Sequence, residues 1–210
     1  EILRDRLLRE FSVSANTGKP MVAYHETVTA PGRSDYVFDR ELGGNHHFAA
    51  LTIEVAPRER GGGNKVEFQV STDVIPAEFR KGIEAGLNDA MYTGVICRYP
   101  ITDTLVRVVG GKCDPEMSTD MAFRSAATMG FREAVMAAQP AILEPIMALE
   151  IVTPAEYMGD VMGDVSARRG KVREMLARGE MHLIHAGVPL AELFGYSTAI
   201  RSLSRGRASY

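Results

Sequence analysis

The stretch from Ile146 to Ser204 reads strand, helix, strand, strand, helix, and few folds accept that order. "IMALEIVTP" has the composition of a strand. Thr153-Pro154-Ala155-Glu156 reads as a capping box with proline at the first helical position. The helix it opens turns Tyr157, Val161, Met162 and Val165 inward, and "ARRG" ends it. "KVREMLAR" and "MHLIHAGVP" flank Gly179-Glu180 as a hairpin, and a second helix is predicted over 190–204. A split βαβ unit in this order wants one more strand beside the first, due where the sequence reaches Ala208-Ser209-Tyr210.

Upstream lies a second mixture of strands and helices. "MVAYHETV", "HFAALTIEVAP" and "KVEFQVS" read as strands, with "RERGGGN" (58–64) a turn or loop between the last two. Pro76 suits the first turn of a helix with Phe79, Ile83, Leu87, Ala90 and Met91 as its apolar stripe and Gly94 at its end. "TDTLVRVV" is a further strand and "GGKCDPEM" a loop. Ser118 or Thr119 then caps a long helix running to about Ala138. Pro140 and Pro145 bracket a boundary. Leu3, Leu7, Leu8 and Phe11 share one face of an opening helix that is already under way at Glu1, and "TGKP" breaks the chain after it. With no initial Met and a final strand barely begun, the sequence is expected to be part of a longer polypeptide.

Composition narrows the function classes. A hydrophobic fraction of 45% and a charged fraction of 24% describe a globular chain, not a disordered one. The net charge of −3 gives no bulk attraction to nucleic acid, so any RNA contact must come from local patches. No apolar run is long enough to span a membrane, and no signal peptide opens the sequence. Cys97 and Cys113 match no zinc spacing and read as free thiols. There is no G-x-x-x-x-G-K-[ST] phosphate loop, and "GGKC" lacks the upstream glycine that motif needs.

"ELGGNHHFAALTIEV" sets His46 and His47 side by side after a Gly-Gly pair. Three chemistries compete there. Zinc needs more ligands than an adjacent pair supplies. General acid–base catalysis lacks a nucleophile motif nearby. Contact with RNA suits the composition, because glycines allow close backbone approach and imidazoles stack on bases and bond phosphate or 2′-OH. An exposed loop with no task is the bland alternative. Gly159-Asp160 and Gly163-Asp164 repeat at an interval of four, which fits glycines admitting a close neighbour and aspartates at a helix N-terminus better than a metal site. His182 and His185 are three apart on a strand, so they face opposite sides and read as structural.

"EPIMALEIVTPAEYMGDVMGDVSARRG" and "PLAELFGYSTAIRSLSRGRASY" resemble the C-terminal domain of bacterial elongation factor G. "TGKPMVAYHETV", "VIPAEFRKGIEAGLNDAMYTGVICRYPITD" and "STDMAFRSAATMGFREAV" resemble the domain before it. The resemblance covers essentially the whole chain. It implies an α+β architecture in three parts. Residues 1–18 would be the remnant of domain III, and 19–140 a ribosomal-protein-S5-like domain IV with a left-handed βαβ crossover. Residues 141–210 would be a ferredoxin-like βαββα(β) domain V lacking most of its last strand. It implies a ribosome-binding arm without catalytic or metal residues or a cofactor of its own. GTP and Mg would be held by the absent G domain of the parent GTPase. The implied partners are the small-subunit decoding site, the sarcin–ricin loop and stalk base of the large subunit, tRNA and mRNA. The arm would act as a cytoplasmic monomer in translocation.

The resemblance also implies site residues. "GGNHHF" aligns with a tip loop that typically reads Gly-Gly-Arg-Gly-Gln-Tyr, which nominates Gly43, Gly44, Asn45, His46 and His47. The second tip loop, "GGKCDPEM", nominates Lys112, Cys113 and Asp114, the last where the family typically has histidine. An acidic side chain facing phosphates is unfavourable, and His46 or His47 would supply the lost contact. In the last domain Arg168, Arg169, Arg201, Arg205 and Arg207 are the basic candidates. The departures at both loops leave open a paralogue acting in ribosome recycling or stress. A metal-dependent enzyme built on His46 and His47 is the rival from another class.

Overall fold

The computed structural model describes residues 9–12 and 21–210, so the reading of residues 1–18 falls outside the described residues except at 9–12. Two compact units follow, one over Tyr24–Glu144 and one containing Pro145–Tyr210, each with its own core.

The first unit is built on a four-stranded sheet. Strands β1 (His25–Val28), β2 (Gly32–Leu42), β3 (Asn45–Pro57) and β4 (Lys65–Phe68) precede helix α1 (Ala77–Thr93); β5 (Thr104–Lys112), helix α2 (Asp120–Ala137) and β6 (Pro140–Leu143) follow. The sheet order is β2-β3-β5-β4, and β4 pairs parallel with β5 across the α1 connection. Along β3, Ala49, Leu51, Ile53 and Val55 are buried and alternate with half-buried residues, so the sheet shows one face to the helices. Phe79 of α1 stacks on Phe123 of α2 at 4.8 Å, and Gly86 lets the helices close up, since a Cβ there would lie 2.4 Å from the Arg124 carbonyl oxygen. The two strands the sequence reading passes over are β2 and β6. β6 pairs with β1, so the compact unit continues past residue 140 to Glu144.

Beside β1, the buried Glu26 organises the loop after α1. Its carboxylate accepts hydrogen bonds from the backbone N–H groups of Val95, Ile96, Cys97 and Tyr99. Burial pushes its pKa up, but the four amides outweigh that and hold it below the ordinary carboxyl value.

The second unit has strands β7 (Ile146–Pro154), β8 (Lys171–Arg178) and β9 (Met181–Pro189) in the order β7-β9-β8. Helices α3 (Met158–Ala167) and α4 (Tyr196–Leu203) contribute Val161, Val165, Tyr196 and Ile200 to its core. Ser209 bridges Val152 on the free side of β7, which puts the chain's last residues where a ferredoxin-like sheet places its fourth strand. Three local readings change. Thr153–Glu156 is not a capping box: Pro154 ends β7, a 3-10 turn spans Ala155–Tyr157, and no side chain caps it. The last helix is two pieces, a 3-10 turn at Leu190–Leu193 and α4, separated at Gly195 with φ 77°. Gly159 and Gly163 face open space and admit no neighbour.

Candidate nucleic-acid interface

Gly43 and Gly44 form the two-residue turn between β2 and β3, with Leu42 paired to Asn45. Both have positive φ, 62° and 81°, and this mirror-image turn matches the twist of a hairpin at little cost only for glycine. Asn45, His46 and His47 are therefore not in a loop. They are the first three residues of β3, and strand alternation sends the two imidazoles to opposite faces.

The residues 113–119 fold against this hairpin end. Phe48 N–H donates to the Met117 carbonyl at 3.0 Å, and the Ser118 hydroxyl donates to the Phe48 carbonyl at 2.8 Å. His46 Nε2 lies 2.9 Å from Asp39 Oδ1, and its Nδ1 lies 3.0 Å from Met117 Sδ. Through these two contacts the imidazole joins β2 to the 113–119 segment. On the other face, His47 Nδ1 lies 3.2 Å from Thr119 Oγ1. Thr119 is the N-cap of α2 and accepts from Ala122 N–H, which leaves its hydroxyl hydrogen for His47. The turn and the 113–119 loop thus form a single tip, pinned by backbone and side chains together.

Asp114 does not face outward as an exposed acid. Its Oδ1 accepts from the N–H groups of Glu116 and Met117 at 2.9 and 3.0 Å, and Asp114 N–H donates to Ser118 Oγ. The carboxylate shapes the loop. Lys112 stands over the Phe48 ring, 5.8 Å from its centroid, and Cys113 is a half-buried free thiol. Among the described residues no carboxylate pairs with Lys112 or Arg40, so cations remain available at the tip although the whole chain is acidic.

His46 and His47 diverge, and among the described residues no group of three or more His, Cys, Asp or Glu is placed to hold a metal ion. The arginines of the second unit divide. Arg168 bonds Asp164 and the Glu192 carbonyl and lies 5.0 Å over the Tyr196 ring. Arg169 pairs with Glu192, and Arg207 with Glu156. Arg201 and Arg205 have no carboxylate partner among the described residues. The structure therefore does not gather the five into one patch of free cations. Burial, with the Asp164 charge behind it, pushes the Tyr196 hydroxyl up to about 12, and that hydroxyl has no hydrogen-bond partner among the described residues. His185 lies between Glu150 and Glu174 on the outer face of its sheet, while His182 faces the other side opposite Thr153.

Sequence reasoning misses Asp39 and Thr119 as parts of the tip, and it misses the contact of Met117, a residue of the second tip loop, with His46. Asp39 escapes because β2 is not read as a strand. The other two escape because contacts across 71 and 72 residues leave no local signal.

The family models decide the kinship. That for elongation factor G, domain IV, matches residues 20–139, and that for the elongation factor G C-terminus matches residues 141–210. The chain belongs to the elongation factor G family. A crystal structure of a protein from Thermus thermophilus is similar over 99% of this chain, with a TM-score of 0.80 and 29% identity. The chain spans 31% of that protein's length. What we describe is thus the domain IV and C-terminal part of an elongation-factor-G-like translation factor, and among the described residues no helix is long and apolar enough to cross a membrane.

Proposed function

We propose that this chain is the ribosome-contacting arm of a translational GTPase. The reading has the fused tip enter the small-subunit decoding site and support movement of tRNA and mRNA. The second unit faces the sarcin–ricin loop and stalk base. GTP and Mg belong to a G domain outside this sequence, and the arm itself carries out no bond chemistry. The observation that carries the reading is the convergence of two glycine-bearing segments, 43–48 and 110–119, into one hydrogen-bonded tip. Its divergent imidazoles and unpaired cations offer RNA contacts on both faces of the hairpin.

Ribosome cosedimentation of the chain at rising salt tests this. Binding should fall steeply with salt, and replacing Lys112 by Ala should flatten the log–log slope by about 0.7 to 0.9, the value of one lost phosphate contact. No sedimentation with ribosomes at low salt would contradict the reading.

A second reading is favoured by Asp114 and by the Asn-His-His sequence of the tip, which depart from the family pattern. It makes the protein a paralogue used in ribosome recycling or under stress. Subunit splitting without translocation would select it.

A further inference from the structure

The outer face of the tip carries the His46 contacts with Asp39 and Met117 at its edge and further side chains beside them. Because Ala49, Leu51 and Ile53 point under the helices, Phe48, Ala50 and Thr52 point to the opposite side of the sheet. Phe48 is half-buried there and takes no part in the core beneath the helices. Its backbone is held on both sides, N–H by Met117 and C=O by Ser118, which anchors the main chain that carries the ring. Across the sheet, Ala50 pairs with Val37 of β2, which is 56% exposed, and with Lys112 of β5. Gly110, opposite Thr52, adds no side chain. The result is a flat apolar floor of Phe48, Val37 and Ala50. Lys112 and His46 form its rim.

The acids on this face are accounted for except one. Asp39 is held by His46, and Asp35 by Thr52 and Arg33. Glu41, opposite His46, is exposed at the end of the strand. Among the described residues Lys112 has no side-chain partner but the ring it stands over, a loose cation–π contact that a better-stacked group can displace.

We propose that the floor formed by Phe48, Val37 and Ala50, rimmed by Lys112 and His46, is a stacking platform for an unpaired RNA base. A ring on an open sheet face beside a free cation meets the two needs of a single-stranded nucleotide, a surface for the base and a positive charge for its phosphate. The base takes the ring face, and the Lys112 ammonium moves from the ring to the phosphate. The inference rests on the RNA-contacting reading of the tip, but it names a different surface from the apex and a different ligand from paired codon and anticodon.

The test is an NMR titration of the chain with short single-stranded oligoadenylate, run beside ribosome cosedimentation of the same variants. Wild type should show its largest changes at Phe48, Val37 and Lys112. Phe48→Leu should weaken oligonucleotide binding about tenfold, within the range for one lost base–aromatic stack. Phe48→Tyr, which keeps the ring, should bind like wild type. Unchanged spectra outside the tip show that each variant is folded, and Lys112→Ala, an exposed change, should also weaken binding. Oligonucleotide binding unaffected by Phe48→Leu, or no binding by wild type, overturns the platform. If the chain still sediments with ribosomes in either case, the ribosome-contacting reading stands; if no variant sediments with ribosomes, that reading fails separately.

Discussion

Asp114 shows how a residue that looks wrong for its place becomes necessary in it. Read alone, an acid near phosphates repels them. In the fold its carboxylate closes the turn by accepting two amides, and the charge is spent inside the loop. Asp114→Asn keeps an accepting oxygen and should leave both stability and ribosome binding close to wild type. Asp114→Ala leaves two N–H groups without their partner and should cost about 1–2 kcal/mol by urea unfolding, with weaker ribosome binding. Equal behaviour of the two variants would show that the loop does not depend on this cap. The imidazoles carry a related lesson. The adjacent pair is conspicuous in sequence, but a strand separates its members, and their partners Met117 and Thr119 lie far along the chain.

At the scale of elements, Glu26 ties β1 to the loop after α1 through four amides. Its folded pKa is depressed, so its contribution to stability is complete above the ordinary carboxyl value of 4.5 and is lost as pH falls through the lower folded value. Glu26→Gln places an amide NH2 group where an acceptor is needed. It should lower stability by about 3 kcal/mol at neutral pH and flatten the loss of stability below pH ~4.5, as read by urea midpoints across pH. A parallel acid profile for variant and wild type would contradict the assignment. The α1–α2 contact is equally specific. Gly86→Ala drives a methyl into the Arg124 backbone and should cost about 1–3 kcal/mol, whereas the same change at the open Gly159 should not destabilise. Helices α1 and α2 were legible, and for a physical reason. Pro76, Gly94 and Thr119 mark helix ends by local chemistry, so α1 and α2 appear in the sequence nearly as they fold. β2 does not, because its charges mask a half-buried strand. Ser34, Tyr36 and Phe38 point inward while Arg33, Asp35 and Asp39 point out, a period-two pattern carried by few apolar residues. β6 is only four residues and opens on Pro140, and its existence depends on β1, more than 110 residues earlier. At Thr153–Glu156 the residue types of a capping box occur, but β7 extends through Pro154 and the local preference yields to strand pairing.

For the whole molecule, long ordered motifs made the kinship readable from the sequence. The joint between two segments separated by about 70 residues was not readable, since it exists only once β3 and β5 pair. That joint is the centre of the functional account. The most direct measurement is single-turnover tRNA–mRNA translocation by an elongation factor G whose domain IV and C-terminus are replaced by this chain, with ribosome-stimulated GTP hydrolysis followed alongside. We expect the chimera to translocate, and His46→Ala/His47→Ala to slow translocation by at least tenfold while hydrolysis is unchanged. Translocation at the same rate in the double variant would contradict the account of the tip.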